Sequence, residues 1–131
     1  MIVHGTSYDL PSLPGFLAYS QEEWVGLVTY HIQGYMCEIV SLDSLHERQG
    51  IGTALLEAVK DAAQRAGCRR IWLITTNDNM HALRFYQRRA FTLVAIHRNA
   101  VEEARKIKPE IPMIGYDEIP LRDEIELELI L

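Results

Sequence analysis

The chain is poor in several features that would announce a function. Cysteine occurs twice in 131 residues, at Cys37 and Cys68. That is too few for a disulfide framework, and the spacing is not that of metal ligands. A reducing, cytoplasmic setting and no metal are therefore expected. No apolar run approaches the ~20 residues that span a bilayer, and residues 1–10 lack the basic start and apolar stretch of a signal peptide. No membrane association is expected. Basic charge does not prevail: 13 Lys and Arg stand against 18 Asp and Glu, a net charge of -5. A nucleic-acid binder wants a basic face, so nucleic acid is not an expected partner. There is no internal repeat, low-complexity linker or Gly-Lys pair. A single domain over residues 1–131 is expected, large enough to bury about two-thirds of the surface of its unfolded chain.

What is present changes character along the sequence. Residues 1–8 read as a strand, and Leu10 to Gly15 as a turn-rich connection. Phe16–Tyr19, Trp24–Ile32 and Tyr35–Leu42 then read as an antiparallel meander, with turns at Glu22-Glu23 and Gln33-Gly34. From Ile51 to Ala66 the apolar residues Ile51, Leu55, Ala58, Val59 and Ala62 recur at helical spacing, and Gly67 is a natural cap. The apolar run inside Arg70–Thr75 predicts an interior strand. Strand, helix and strand make a βαβ unit, so Tyr35–Leu42 and Arg70–Thr75 are expected to lie parallel. Asn77-Asp78-Asn79 precedes a second helix, Met80 to Arg89. Phe91–Ile96 reads as a strand and Ala100–Ile107 as a short helix. Pro109, Pro112, Gly115 and Pro120 interrupt regular structure. The last eight residues alternate, with Ile125, Leu127, Leu129 and Leu131 on one face. Glu124, Glu126 and Glu128 occupy the other, expected to be solvated. The fold class is α/β, in the sense of an α+β mixed sheet with helices packed on it.

Chemistry concentrates in Arg48-Gln49-Gly50-Ile51-Gly52-Thr53. The first turn of a helix offers N–H groups and partial positive charge. Glycines let an anion approach, and Arg48 adds full charge. This suits a phosphate or pyrophosphate. The same glycines also suit a plain turn. A P-loop needs a Gly-Lys pair, and a dinucleotide fingerprint needs glycine where Leu55 stands, so neither motif is met.

Two stretches carry a family resemblance. The first is Glu38-Ile39-Val40-Ser41-Leu42 followed by Arg48-Gln49-Gly50-Ile51-Gly52-Thr53-Ala54-Leu55-Leu56. The second is Asn79-Met80-His81-Ala82-Leu83-Arg84-Phe85-Tyr86-Gln87-Arg88-Arg89-Ala90-Phe91. Together they resemble the Gln/Arg-x-x-Gly-x-Gly/Ala and Asn-x-x-Ala-x-x-Phe-Tyr-x-x-x-Gly-Phe motifs of the GNAT superfamily of acetyl-CoA-dependent N-acyltransferases. The resemblance covers residues 16–96, and the final strand fits. It departs at Glu47, which falls on the Gln/Arg position, and mildly at Ala90, which replaces glycine. The two helices that usually follow the family's first strand are missing, because only Asp9 to Pro14 is available for them.

The resemblance implies a GNAT-like fold and acetyl-CoA as co-substrate. It implies transfer of an acetyl group to an amine of a small molecule or peptide, by direct attack through a tetrahedral intermediate. Residues 48–53 would bind the pyrophosphate, and Asn79 the pantetheine arm, which lies along Val40 to Ser44 where two strands splay apart. The amide of Leu42 would receive the acetyl carbonyl oxygen, Tyr86 would protonate the departing thiolate, and Glu38 would serve as general base. Each has a bland counterpart: Leu42 as strand residue, Tyr86 as core aromatic, Glu38 as salt-bridged strand residue, Asn79 as helix cap. His46 and His81 flank the site but read as solvated, and Cys37 as an apolar filler. A homodimer, or the stretch after Ile96, would complete the acceptor wall. The alternative to catalysis is a sensor or regulatory module that holds acyl-CoA without turnover.

Overall fold

The computed structural model describes residues 2–3, 6–7, 13–45 and 50–131. In chain order the strands are β1 (Ile2–Val3), β2 (Thr6–Ser7), β3 (Gly15–Ser20), β4 (Glu23–Gln33), β5 (Met36–Ser44), β6 (Arg70–Thr76), β7 (Thr92–His97) and β8 (Glu124–Ile130). The helices are α1 (Ile51–Arg65), α2 (Met80–Gln87) and α3 (Ala100–Ile107). Six strands form a mixed sheet in the order β3-β4-β5-β6-β8-β7, while β1 and β2 pair with each other. The N-terminal stretch is thus two short antiparallel strands, Ile2 opposite Ser7 and Val3 opposite Thr6, not the single strand expected. The chain divides into two compact units, Asp9–Trp72 with Ile130–Leu131, and Met1–Tyr8 with Leu73–Leu129.

In the first unit, β3, β4 and β5 form the antiparallel meander. The β3–β4 loop is Gln21-Glu22, both with positive φ, 53° and 68°. A two-residue hairpin loop needs such angles because they match the twist of its strands. The β4–β5 loop is Gly34-Tyr35, so Gln33 stands opposite Met36. This moves the expected turn at Gln33-Gly34 by one residue. The shift matters, because strand partners are counted outward from the loop.

Helix α1 buries Leu55, Leu56, Val59 and Ala63. Leu56 and Val59 are among the most enclosed side chains of the chain, and removing one costs about 2–5 kcal/mol in a core of ordinary packing. A side chain at Gly26 would meet Ile51 Cγ2 at 2.8 Å and Leu55 Cδ1 at 3.0 Å, so glycine there lets β4 and the first turn of α1 approach closely. The helix ends as expected near Gly67, with φ 81°. The Gly67 amide donates to Gln64 O at 3.1 Å and the Cys68 amide to Ala63 O at 2.9 Å, the paired bonds of a Schellman end.

In the second unit, β8 pairs antiparallel with β7. Here the expected solvated glutamate row is corrected. Glu124 is only 7% exposed, and the Glu126 carboxylate meets His97 Nε2 at 3.0 Å. Alternation along a strand says that two faces differ. It does not say that the polar face meets water: β8 lies between β6 and β7, and the β7 residue His97 stands beside Glu126. The proline-rich segment before β8 is irregular but held. The Arg105 guanidinium donates to the carbonyls of Ile111, Pro112 and Leu121. Asn77 accepts from the amides of Arg122 and Asp123 and donates to Pro120 O. The buried Asp78 carboxylate accepts from the Tyr116 amide at 2.9 Å.

Candidate active site

In the first unit the candidate residues follow from how β5 meets α1. Along the β4–β5 ladder Thr29 stands opposite Ser41, and Tyr30 opposite Ile39. Val40 is therefore an extra residue, a bulge that bends the strand and re-aims the backbone beyond it. Leu42 comes two residues later, half-buried and opposite Val28. Arg48 and Gln49, like His46 and Glu47, lie outside the described residues. Gly50 is the N-cap of α1, with φ 73° and ψ 11°. That left-handed conformation costs a side-chain-bearing residue about 1–2 kcal/mol, and a Cβ there would meet no atom of the described residues within 4 Å. Among those residues the demand for glycine at Gly50 is conformational and not one of space.

The first turn of α1 is Ile51, Gly52 and Thr53. It carries no acidic residue, and among the described residues no side chain caps the Gly50 end. The amides at a helix start have no intrahelical acceptor and carry partial positive charge. The start of such a helix suits an anion.

Counting strand alternation from Gly26, whose face meets α1, places Gly26, Val28 and Tyr30 toward the helix and Thr29 and His31 on the opposite face. Their ladder partners Ser41 and Glu38 share that opposite face. The result is a polar strip inside a sheet. Glu38 is 3% exposed and Thr29 4%, and the Thr29 and Ser41 hydroxyls lie 2.6 Å apart. Sequence reasoning singled out Glu38 but passed over His31, Thr29 and Ser41. Counting partners outward from the Gly34-Tyr35 loop would have found His31.

Cys37, on the α1 face, is fully buried. Burial first, then Cys68 and Glu38, push its thiol up to about 12. The thiolate is the nucleophile, so Cys37 is inert near neutrality, as its reading as a filler implies. Two outcomes are expected. Native protein at pH 7.5 leaves Cys37 unmodified by iodoacetamide in a mass-spectrometric assay, and denaturant exposes it. Folding also holds this thiol protonated above its ordinary pKa near 9, so Cys37 contributes stability that is lost as pH rises from about 9 toward 12.

In the second unit α2 carries the other two candidates. Asn79 is its N-cap, and Asn79 Oδ1 accepts from the Ala82 amide at 3.1 Å. Of the trio expected to cap this helix, Asn79 does so through its side chain, while Asn77 and Asp78 hold the proline-rich segment. Tyr86 is 7% exposed. Its ring meets Phe85 at 5.1 Å and Phe91 at 5.3 Å, both edge-on. The carbonyl of Tyr86 accepts from the Phe91 amide at 3.1 Å, and that of Gln87 from the Ala90 amide at 3.3 Å. This is again a Schellman end, with the Tyr86–Phe91 contact as its hydrophobic clasp. The clasp fixes the Tyr86 ring. It also makes Ala90 left-handed, with φ 72°, which is why glycine suits this position. Ala90→Gly is expected to raise stability by about 1 kcal/mol in denaturant titration, because the strain of a Cβ at positive φ is removed. His81 is exposed, with its ring 6.5 Å from Phe85.

The model of the acetyltransferase (GNAT) family matches residues 4–91. The chain belongs to the GNAT acetyltransferase family. It is 48% identical over 126 residues to the uncharacterized protein YdhI of Bacillus subtilis (strain 168), covering 95% of this chain and 79% of YdhI. It is 33% identical over 60 residues to the [ribosomal protein bS18]-alanine N-acetyltransferase of Escherichia coli (strain K12), covering 46% of this chain and 40% of that one. Among solved structures it resembles a GNAT family acetyltransferase from Elizabethkingia anophelis with acetyl-CoA bound. The TM-score is 0.77 at 25% identity, covering 93% of this chain and 78% of that one. Among the described residues no group of three or more His, Cys, Asp or Glu is arranged to hold a metal ion, and no helix is long and apolar enough to cross a membrane.

Proposed function

We propose that this chain, acting as one domain over residues 1–131, transfers the acetyl group of acetyl-CoA to an amine of a small molecule or peptide. The observation that carries the reading is the start of α1 at the left-handed Gly50, following β5 in a chain of the GNAT family. The acetyl-CoA bound by the Elizabethkingia anophelis neighbour supports the donor. The alanine N-acetyltransferase relative supports an amine acceptor.

The amides of Gly50, Ile51, Gly52 and Thr53 hold the pyrophosphate, with Arg48 and Gln49 beside them. Asn79, whose Oδ1 caps α2, has its amide nitrogen to offer the pantetheine. The Leu42 amide donates to the acetyl oxygen as the tetrahedral intermediate forms; such a donor contributes about 3 kcal/mol to acyl transfer. The acceptor amine loses a proton to Glu38 as the new C–N bond forms, and the C–S bond breaks when the intermediate collapses. Tyr86 then protonates the thiolate. An ordinary thiol ionises near ~8.5 and a phenol near ~10, so the phenol keeps its proton until sulfur takes it. A second copy of the chain would wall the acceptor.

The test is a panel of amines, polyamines, amino acids and peptides with acetyl-CoA, read as free thiol, beside calorimetry with coenzyme A. Thiol release that depends on the amine bears the proposal out. Tight coenzyme binding with no release against the panel would favour an acyl-CoA-binding module, and no heat on adding coenzyme would remove both.

A further inference from the structure

A carboxylate that collects a proton at every turnover must also give it up, and Glu38 is almost wholly enclosed at 3% exposure. The β4–β5 ladder sets His31 directly opposite it, and directly opposed residues have Cβ atoms only about 5 Å apart. Both side chains leave the sheet on the face turned from α1. His31 is only partly covered, whereas Glu38 and its neighbour Thr29 are buried. Further along this face the Thr29–Ser41 hydroxyl pair, 2.6 Å apart, continues the polar strip. Histidine suits this position, since one ring nitrogen can donate while the other accepts.

We infer that His31 is the positioning residue of Glu38: its imidazole orients the carboxylate and carries the collected proton to water. This rests on the reading of Glu38 as general base. The balance is simple. The proton leaves the acceptor nitrogen for a Glu38 carboxylate oxygen, passes to the His31 ring as the opposite ring nitrogen releases one to water, and no electrons are exchanged. The inference reaches beyond the family motifs, which do not include His31.

The test joins kinetics to spectroscopy. Thiol release is measured for His31→Gln, His31→Leu, Glu38→Gln and the double variant His31→Gln/Glu38→Gln, with coenzyme A titration as a check on folding. Loss of His31 is expected to lower kcat by about tenfold or more with the KM for acetyl-CoA unchanged, and Gln is expected to fail as Leu does. The double variant is expected to be no slower than Glu38→Gln alone, because residues acting as one unit do not add. The 15N resonances of the His31 ring are expected to move in Glu38→Gln while those of His97, paired with Glu126, stay in place. Multiplying losses in the double variant, or a His31 ring unmoved by Glu38→Gln, would overturn the inference. A wild-type chain that releases no thiol with any amine would instead end the transferase reading, and the ring resonances would still decide whether the two residues act as a pair.

Discussion

Replacing Tyr86 by phenylalanine is expected to lower turnover by roughly 100-fold or more, measured as thiol released from acetyl-CoA at saturating amine. The substitution removes one oxygen and leaves the ring. The edge contacts with Phe85 and Phe91 and the backbone bond from Phe91 to the Tyr86 carbonyl do not need the hydroxyl. Stability is therefore expected within about 1 kcal/mol of wild type, as for changes that open no cavity. Tyr86→Ala would not separate the two roles, since loss of a buried aromatic costs about 3–5 kcal/mol by itself. Unchanged turnover in Tyr86→Phe removes Tyr86 from the mechanism and leaves it as the clasp of α2.

Glu38→Gln is expected to have the second large effect, a fall in kcat/KM of about 10²–10⁴-fold. Glutamine keeps the size of the side chain and its place opposite His31, but it accepts no proton from the amine. The acidic limb of the pH–rate profile is expected to vanish with the carboxylate. A variant that keeps the wild-type limb excludes Glu38 as the base. Coenzyme A affinity is expected to persist, because the pyrophosphate contacts proposed above belong to the start of α1. That separates a failed proton transfer from a failed binding site.

Most of the regular elements were readable from local pattern. The helix expected over Ile51–Ala66 is Ile51–Arg65, the one expected over Ala100–Ile107 has those bounds, and the strand expected over Arg70–Thr75 runs one residue further. Apolar spacing, caps and turn residues act within a few positions of where they stand, so they survive in a linear reading. Gly50 and Tyr86 were likewise singled out as site candidates from short motifs. The left-handed Ala90 explains a motif position that the pattern marked only as glycine.

Other features were invisible for equally physical reasons. Moving the β4–β5 loop by one residue reassigns every cross-strand partner, which is how His31 escaped notice. The Val40 bulge adds a second shift that no periodicity records. Asp78 looked like part of a helix cap, yet its carboxylate binds the Tyr116 amide 38 residues away. Glu126 looked solvated until the neighbouring strand brought His97 to it.

The amino-acid order alone therefore determined the helices, most strands, the glycine turn at the start of α1 and the family, because each rests on interactions between residues close in the chain. Only tertiary structure decided strand register, the shared polar face of Glu38, His31, Thr29 and Ser41, and the tethering of the proline-rich segment. Those depend on which distant backbone and side chains meet. A ladder carries that information in its pairing, where one residue of slip changes every partner.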